Sequence, residues 1–371
     1  MVHRNPPGAC GREHDAGRSA LLPMIVFCVM MLLLVVHPAK CSIIVGYHEF
    51  SHDPHLVACK QDTIVYRRLK RKRWPHCTTQ EFLSGLHSLL AHLEANATIA
   101  DVQLIVVSAN IVPSHLGHQV PFLQTLGPHV VISTGHHRLH ALYGFHTSPF
   151  KAAVVLVIDG MGQIDFHTLT IWIATAKGLE RVSACNHCHV GSWFYHMQMH
   201  GNPTIQEVDE SAVFHAPDGA YMAKAKNAIT EDHKTITEDH KTWSRAVERA
   251  GRFLSENPPN SPEKKSALHA ALTAVCLDQL IPVVQSHPTV QGLVVSGGVA
   301  NNTPLMGTFS QKLNLPIWRP SLPGDASLAF GALWSVKPPL ARPVVQFTAT
   351  PLFVPPVLLN WTCETFHNYT L

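Results

Sequence analysis

Gly135–Ala141 reads GHHRLHA, and three later stretches give it meaning: VVLVIDGMG at Val154–Gly162, LVVSGGVANN at Leu293–Asn302 and PGDASLAFGALW at Pro323–Trp334. A helix that starts after Gly135 puts His136 and His140 one turn apart on one face. Two imidazoles so placed can grip one metal ion, with a carboxylate from elsewhere completing the set. The chain holds 27 histidines spread along its length, so this spacing also arises without function. The apolar run that ends at Asp159-Gly160 reads as a buried strand. Its C-terminal end presents a carboxylate and a flexible backbone, at the edge where α/β sheets bind ligands. An Asp there also serves as a plain turn residue. Gly297 and Gly298 close another strand and admit a nucleotide close to the backbone, ahead of a helix N-terminus that favours an anion. Asp325 reads as a helix cap and equally as the acidic ligand that His136 and His140 need.

Working outward, Ser42–Tyr47 and Leu56–Val65 predict strands of a meander that turns near Gln61-Asp62. Thr78–Ala95 predicts a helix from the spacing of Phe82, Leu83, Leu86, Leu89, Leu90 and Leu93, with Thr78 and Thr79 before Glu81 as a cap signal. Strands follow at Val102–Ser108 and Val130–Ser133, then the histidine helix and a strand at Ala153–Ile158. A second round brings strands at His167–Ala174 and Leu179–Ala184 and helices at Ser192–His200 and Lys265–Gln285. It ends with a strand at Gly292–Ser296, a helix at Thr303–Leu313, a short strand at Pro316–Arg319 and a helix at Ala326–Val336. Strands then helices, twice over, describe a duplicated α/β architecture with a cleft between two lobes. The expected lobes are residues 42–158 and 159–337.

Composition limits the alternatives. At 371 residues with 46% hydrophobic and 14% charged content, the chain buries a large core and excludes extensive disorder. A net charge of +3 is too small to imply a nucleic-acid partner. Arg4, Arg12 and Arg18 precede an apolar run over Ala20–Val36, interrupted only by Pro23. Such a run is long for a signal-peptide core and just short of a membrane span of about 20 residues. It predicts either a cleaved signal ending near Ala39-Lys40-Cys41 or a retained single-pass anchor, and so a membrane or secretory location. Sequons at Asn96, Asn360 and Asn368 would matter in a lumen. Cys185-Asn-His-Cys188-His189 fits a c-type haem pattern, although a thiol pair or disulfide is the plainer reading. The heptad ITEDHKT occurs twice in tandem over Ile229–Thr242, too few copies for a coiled coil or solenoid and best read as an exposed insertion or a polar helix extension. The basic run Arg67–Arg73 reads as a solvated connection, and residues 338–371 as a proline-rich tail.

The order of these motifs resembles the O-carbamoyltransferases of nodulation-factor and antibiotic biosynthesis, and more distantly the tRNA-modifying ATPases that form threonylcarbamoyl-adenosine. HHRLHALYGFHTSPFKAAVVLVIDGMG is similar to that family's metal helix, Ser-Pro-Phe turn and Asp-Gly loop. GLVVSGGVANN resembles its nucleotide loop and GDASLAFGALW its C-terminal metal-acid segment, while His52-Asp53 resembles the His-Asp step of its opening strand pair. The resemblance spans roughly Ser42 to Val336. It implies an actin-like ATPase (ribonuclease H-like) fold in two lobes. It implies ATP and a divalent metal, with His136, His140 and Asp325 as ligands. Asp159, Gly160, Gly297, Gly298 and Asn302 would then hold the nucleotide, and His137 would handle protons. The implied reaction passes a carbamoyl group through a carbamoyl-adenylate to a hydroxyl acceptor, with carbamoyl phosphate as a further small-molecule partner.

The chain departs from that pattern in three places. Tyr66-Arg67-Arg68 stands where the family has Glu-Glu-Arg, and Gln163 stands where an acid follows the Asp-Gly loop, with Asp165 close by. Full-length relatives continue into a domain that processes carbamoyl phosphate, and this sequence ends soon after the shared segment. These departures define a rival expectation: a catalytically silent relative that binds nucleotide or metal and serves as a membrane-associated or lumenal interaction protein.

Overall fold

Two sheets carry the chain in a computed structural model that describes residues 43–48, 54–61, 63–69, 79–108, 129–133, 135–160, 167–185, 188–199, 205–230, 240–339 and 345–347. The expected leader at 1–41, His52-Asp53, Gln163, Asp165, most of the heptad repeat and most of the tail lie outside the described residues.

The first sheet uses β1 (Ile43–His48), β2 (His55–Lys60) and β3 (Thr63–Arg68), followed by helix α1 (Thr79–Leu93), β4 (Val102–Ser108) and β5 (His129–Ser133). Helix α2 (His136–Thr147) leads to the second sheet's meander, β6 (Ala152–Ile158), β7 (Leu169–Thr175) and β8 (Gly178–Cys185). Five helices come next: α3 (Val190–Met199), α4 (Ile205–Phe214), α5 (Gly219–Thr230), α6 (His240–Glu256) and α7 (Pro262–Ser286). The second sheet is completed by β9 (Leu293–Ser296), α8 (Thr303–Leu313) and β10 (Ile317–Trp318). Helix α9 (Leu328–Val336) and β11 (Val345–Phe347) return to the first.

The strand orders are β11-β3-β2-β1-β4-β5 and β8-β7-β6-β9-β10. Within each, an antiparallel three-stranded meander is followed by two parallel strands added beside its first strand. The same topology twice is the duplicated ribonuclease H-like, actin-like ATPase fold. It matches the expected class.

The strands form because both faces of each sheet are covered, so their sequences are continuously apolar rather than alternating. In the first sheet Ile43, Val45 and Tyr47 pack with Phe82, Leu86, Leu89 and Leu90 of α1. On the other face Val57, Ile64 and Tyr66 meet Phe330, Leu333 and Trp334 of α9. In the second sheet Val154, Leu156 and Ile158 face α7, and Val155 and Val157 face Ala141 and Phe145 of α2. Helices α2 and α9 pack on each other between the two sheets, through Leu139, Leu142, Leu328 and Ala332.

That arrangement moves the expected lobe boundary. The segment 42–158 was expected to form one lobe, but β6 pairs with β7 and β9, so the second sheet starts at Ala152. Likewise α9, at the end of the expected second lobe, covers the first sheet. An apolar run ending in Asp-Gly marks a strand's end and does not say which strands will bond to it.

The helices α4, α5 and α6 carry no counterpart in the expected element list. Their apolar positions are sparse, as in α6, where among the described side chains Ala246, Ala250, Phe253 and Leu254 are the buried ones. The segment Ile229–Thr242 that holds the repeat joins α5 to α6, and Ile229 is itself buried in the second core.

The closeness of α9 to β1 rests on Gly46. A Cβ built there would sit 2.0 Å from the Ala329 carbonyl oxygen and 3.1 Å from the Leu333 nitrogen. Backbone cannot yield as a side-chain tip can. Gly46→Ala is therefore expected to destabilise the fold by about 1–3 kcal/mol or more, read as a lower urea midpoint. An unchanged midpoint contradicts this packing.

Candidate metal centre

The strand ends and helix starts converge where α2 begins. Gly135 precedes α2, and the one-turn spacing brings His136 and His140 to the same spot. Asp159 follows β6 directly, its amide donating to the Thr168 carbonyl at 3.1 Å. Asp325 opens a 3-10 turn, Asp325–Ser327, that runs into α9. Their four ligand-type atoms all lie within 4.8 Å of one another. Asp159 Oδ2 is 2.9 Å from His136 Nε2 and 2.9 Å from His140 Nε2, and the two Nε2 atoms are 3.1 Å apart. Asp325 Oδ1 lies 3.5 Å from His140 Nε2 and 3.7 Å from His136 Nε2. The histidine side chains are 3% and 0% exposed and the acids 16% and 34%, so the carboxylates form the open side.

A hydrogen-bond chain orients His140. The Ser327 hydroxyl donates to the Gly324 carbonyl at 2.8 Å, so its oxygen is left to accept from His140 Nδ1–H at 3.0 Å. With the proton on Nδ1, Nε2 can turn a lone pair to the cluster, the orientation that metal-binding histidines obtain from such partners. Burial opposes a charge on His140, yet Asp159 and Asp325 outweigh it and raise its pKa to about 9. Burial also works against ionised Asp159, while hydrogen bonds from His136 and His140 hold its carboxyl well below the usual range. Asp325 is lowered too: burial and the charge of Asp159 oppose ionisation, and the bond to His140 outweighs them.

The glycine turn lies against this cluster. Gly297 has φ +92°, and a Cβ there would be 2.2 Å from the Ile158 carbonyl oxygen. Its amide donates to the Pro323 carbonyl at 2.7 Å, which ties the turn to the segment that carries Asp325. A Cβ on Gly298 would lie 3.2 Å from Asp159 Oδ1.

Of the expected metal ligands, His136, His140 and Asp325 are brought together. Asp159, expected at the nucleotide, stands with them as a fourth donor. Gly297 and Gly298 line the adjoining turn. The Gly160 amide, expected to approach phosphate, donates to Asp159 Oδ1 at 2.7 Å instead. Asn302 also has other work. It is 3% exposed, its Oδ1 accepts from the Leu305 amide at 2.8 Å to cap α8, and its Nδ2 donates to Asp209. Asn302 thus caps α8, with both ends of its amide engaged inside the fold. His137, expected to handle protons, is 2% exposed and packs over β7 with Nδ1 2.9 Å from Thr170 Oγ1. Burial holds its pKa well below 6.5, so it sits as a neutral ring in the helix–sheet contact. Cys185 and Cys188 form a disulfide, which answers the haem pattern in favour of the plainer reading.

Several polar groups near the centre escape the sequence reading. His48, at the end of β1, is 0% exposed, with Nδ1 3.1 Å from Ser108 Oγ. Burial lowers its pKa to about 4, with Asp325, His136 and His140 as the charged groups acting on it. His55 is its register partner on β2, and Tyr66 OH lies 2.6 Å from His55 Nδ1. Asp209 on α4 lies 3.9 Å from His269 Nε2, and burial raises its pKa to about 7. A histidine that ends the apolar run SIIVGYH was a visible signal for His48. Nothing comparable marks Asp209, whose helix is itself inconspicuous.

No protein-family profile matches the chain, and no curated protein does. Solved structures similar to it include the (R)-2-hydroxyglutaryl-CoA dehydratase component A of Acidaminococcus fermentans. That match has 13% identity and a TM-score of 0.41, covering 79% of this chain and 97% of that one. Full-length HypF in its phosphate- and nucleotide-bound form matches with 11% identity and a TM-score of 0.47, over 79% of this chain and 54% of that one. A ROK hexokinase from Thermus thermophilus matches with 15% identity and a TM-score of 0.42, over 80% and 100%. The chain thus spans about half the length of HypF.

Proposed function

We propose that this chain is a metal- and nucleotide-binding enzyme of the O-carbamoyltransferase type. One observation carries the reading: the His136–His140–Asp159–Asp325 cluster at the foot of the glycine turn. Its donor set fits a first-row divalent ion. Adjacent ligands of an octahedral ion at about 2.1–2.2 Å lie roughly 3 Å apart. The three closest edges measure 2.9, 2.9 and 3.1 Å, and Asp325 needs only a small inward move. Two carboxylates also neutralise a divalent charge. The bound ion would supply Lewis-acid stabilisation of negative charge on a transferring group.

The chain's own residues would do the rest. Gly297 packs against the Ile158 backbone and so shapes the turn, and Gly298, beside Asp159, would admit a nucleotide phosphate close to the backbone. Asp209, by the start of α8, supplies an acceptor for a nucleoside hydroxyl. In the reaction served, an acceptor hydroxyl oxygen bonds to the carbamoyl carbon, the bond from that carbon to the phosphate oxygen of a carbamoyl-adenylate breaks, and AMP and a proton leave. The same reading keeps the domain on the exported side of a membrane, reached through residues 20–36. A Cys185–Cys188 disulfide favours that side, since such bonds persist in oxidising compartments.

Purified protein is expected to consume carbamoyl phosphate only when both ATP and a divalent metal are present, and His140→Ala is expected to abolish this. Intact nucleotide binding without turnover would sink the enzyme reading and favour the silent interaction protein.

A further inference from the structure

His48 ends β1 in the first sheet, whereas Asp159 follows β6 in the second. His48 lies on the face that meets α9, two residues beyond Gly46 with its contact to Ala329. Asp325, His136 and His140 are the charged groups that act on its ring, so His48 belongs to the polar neighbourhood of the metal cluster. Yet it is not one of the four clustered donors.

The hydrogen bonds of this ring are unbalanced. Ser108 is 1% exposed and sits opposite His48 in the β1–β4 ladder. The contact to His48 Nδ1 is the one hydrogen bond of the Ser108 hydroxyl among the described residues. A buried hydroxyl that withholds its only proton leaves a donor unmet, at a cost of about 1–3 kcal/mol. The balanced arrangement has Ser108 Oγ–H donating to Nδ1, which leaves the ring proton on Nε2. His48 Nε2 is fully buried and has no hydrogen-bond partner among the described residues. A buried N–H without an acceptor calls for an explanation.

We infer that His48 is a positioning residue for an oxyanion held at the metal centre, donating from Nε2 to a phosphate-type oxygen while Ser108 fixes its tautomer. This rests on the metal reading above. Two carboxylates cancel the charge of a divalent ion, so a further anion on its open side carries net negative charge, which an N–H donor such as His48 Nε2 would offset in part. The acceptor that His48 lacks is then the ligand itself. A ligand so held touches both sheets, with the metal gripped by α2, β6 and the α9 turn, and His48 reaching from β1.

The test titrates the full chain first with manganese(II), then the loaded protein with inorganic phosphate, in a calorimeter. Wild type is expected to bind phosphate only when loaded. His48→Phe is expected to keep its manganese affinity within about threefold and to lose at least about tenfold in phosphate affinity, the scale of one hydrogen bond to a charged group. His48→Gln offers an amide N–H near the Nε2 position, so it is expected to recover part of that loss. It also serves if the bulkier variant does not fold. Phosphate affinity unchanged in both variants overturns the inference. Manganese affinity that collapses with His48 makes it a ligand and overturns it too. A wild type that binds no metal defeats the underlying metal reading, a separate failure from an unchanged phosphate response.

Discussion

His140→Ala is expected to lower divalent-metal affinity by at least about 100-fold and to erase any metal-dependent rise in melting temperature. Loss of an outer partner alone costs 10–100-fold in affinity at such sites, so loss of a direct ligand costs more. Of the four donors His140 is the most committed. It touches Asp159 at 2.9 Å and faces Asp325 at 3.5 Å, with its far nitrogen on Ser327 and no exposed surface. Ser327→Ala removes only the partner that turns the ring, and is expected to fall inside the 10–100-fold range. Metal at about 100 times its Kd stabilises the native state by about 2.7 kcal/mol. Wild type should therefore melt a few degrees higher with metal. Equal metal-induced shifts in wild type and His140→Ala would remove these four residues as the binding site.

The variant also tests the metal-free fold. With His140 gone, burial and the mutual repulsion of Asp159 and Asp325 oppose their ionisation without the counter-charge that had outweighed them. One-sided removal of a buried pair costs about 3–5 kcal/mol. The apo variant should thus be less stable than apo wild type, which a urea titration measures directly.

The fold was legible because its strands and helices punctuate cleanly. Runs such as Val154–Ile158 stop at Asp-Gly, and Leu293–Ser296 stops at Gly-Gly, so the order of elements follows from local chemistry. Which strands pair does not, and β6 was placed with the wrong sheet for that reason. Within the site, the two histidines a turn apart were readable from spacing. The proton on His140 Nδ1 was not, since it depends on Ser327, a residue 187 positions away. Asp159 looked like a phosphate-loop acid because strand-end Asp-Gly steps commonly are; its carboxylate turns inward to the histidines instead. Asn302 and His137 share one feature that sequence does not reveal. Both are polar residues whose partners, Leu305 and Asp209 for one and Thr170 for the other, are supplied by tertiary packing. His48 and Ser108 are 60 residues apart and meet only through the parallel β1–β4 register.

The buried histidines make a second large effect: the metal-free protein is expected to unfold cooperatively in acid, centred near about pH 4.5–5. His48 and His55 are 0% and 3% exposed, and burial is the first cause that lowers their pKa values to about 4 and about 3. Both would titrate near 6.5 in the unfolded chain. Between those values the unfolded state binds more protons than the native state, so stability rises with pH and is lost as pH falls from 6.5 toward 4. At about 1.4 kcal/mol per pH unit for each ring, the pair forfeits on the order of 5 kcal/mol by pH 4.5, comparable to the whole stability of many domains. His140 has the opposite sign. Its pKa, raised to about 9, stabilises the fold fully below 6.5, and that contribution fades as pH climbs through 9. Apo stability should therefore peak near neutrality and fall on both sides. Metal removes the alkaline limb, because an ion bound at neutral to alkaline pH already holds His140 Nε2 without a proton. It leaves the acid limb in place, since protons compete with the ion for its ligands. Tryptophan emission and near-ultraviolet dichroism across pH 3–10, with and without metal, read both limbs. A chain that keeps native emission down to pH 4, or an alkaline limb unmoved by metal, would show that these rings are not buried and coupled in this way.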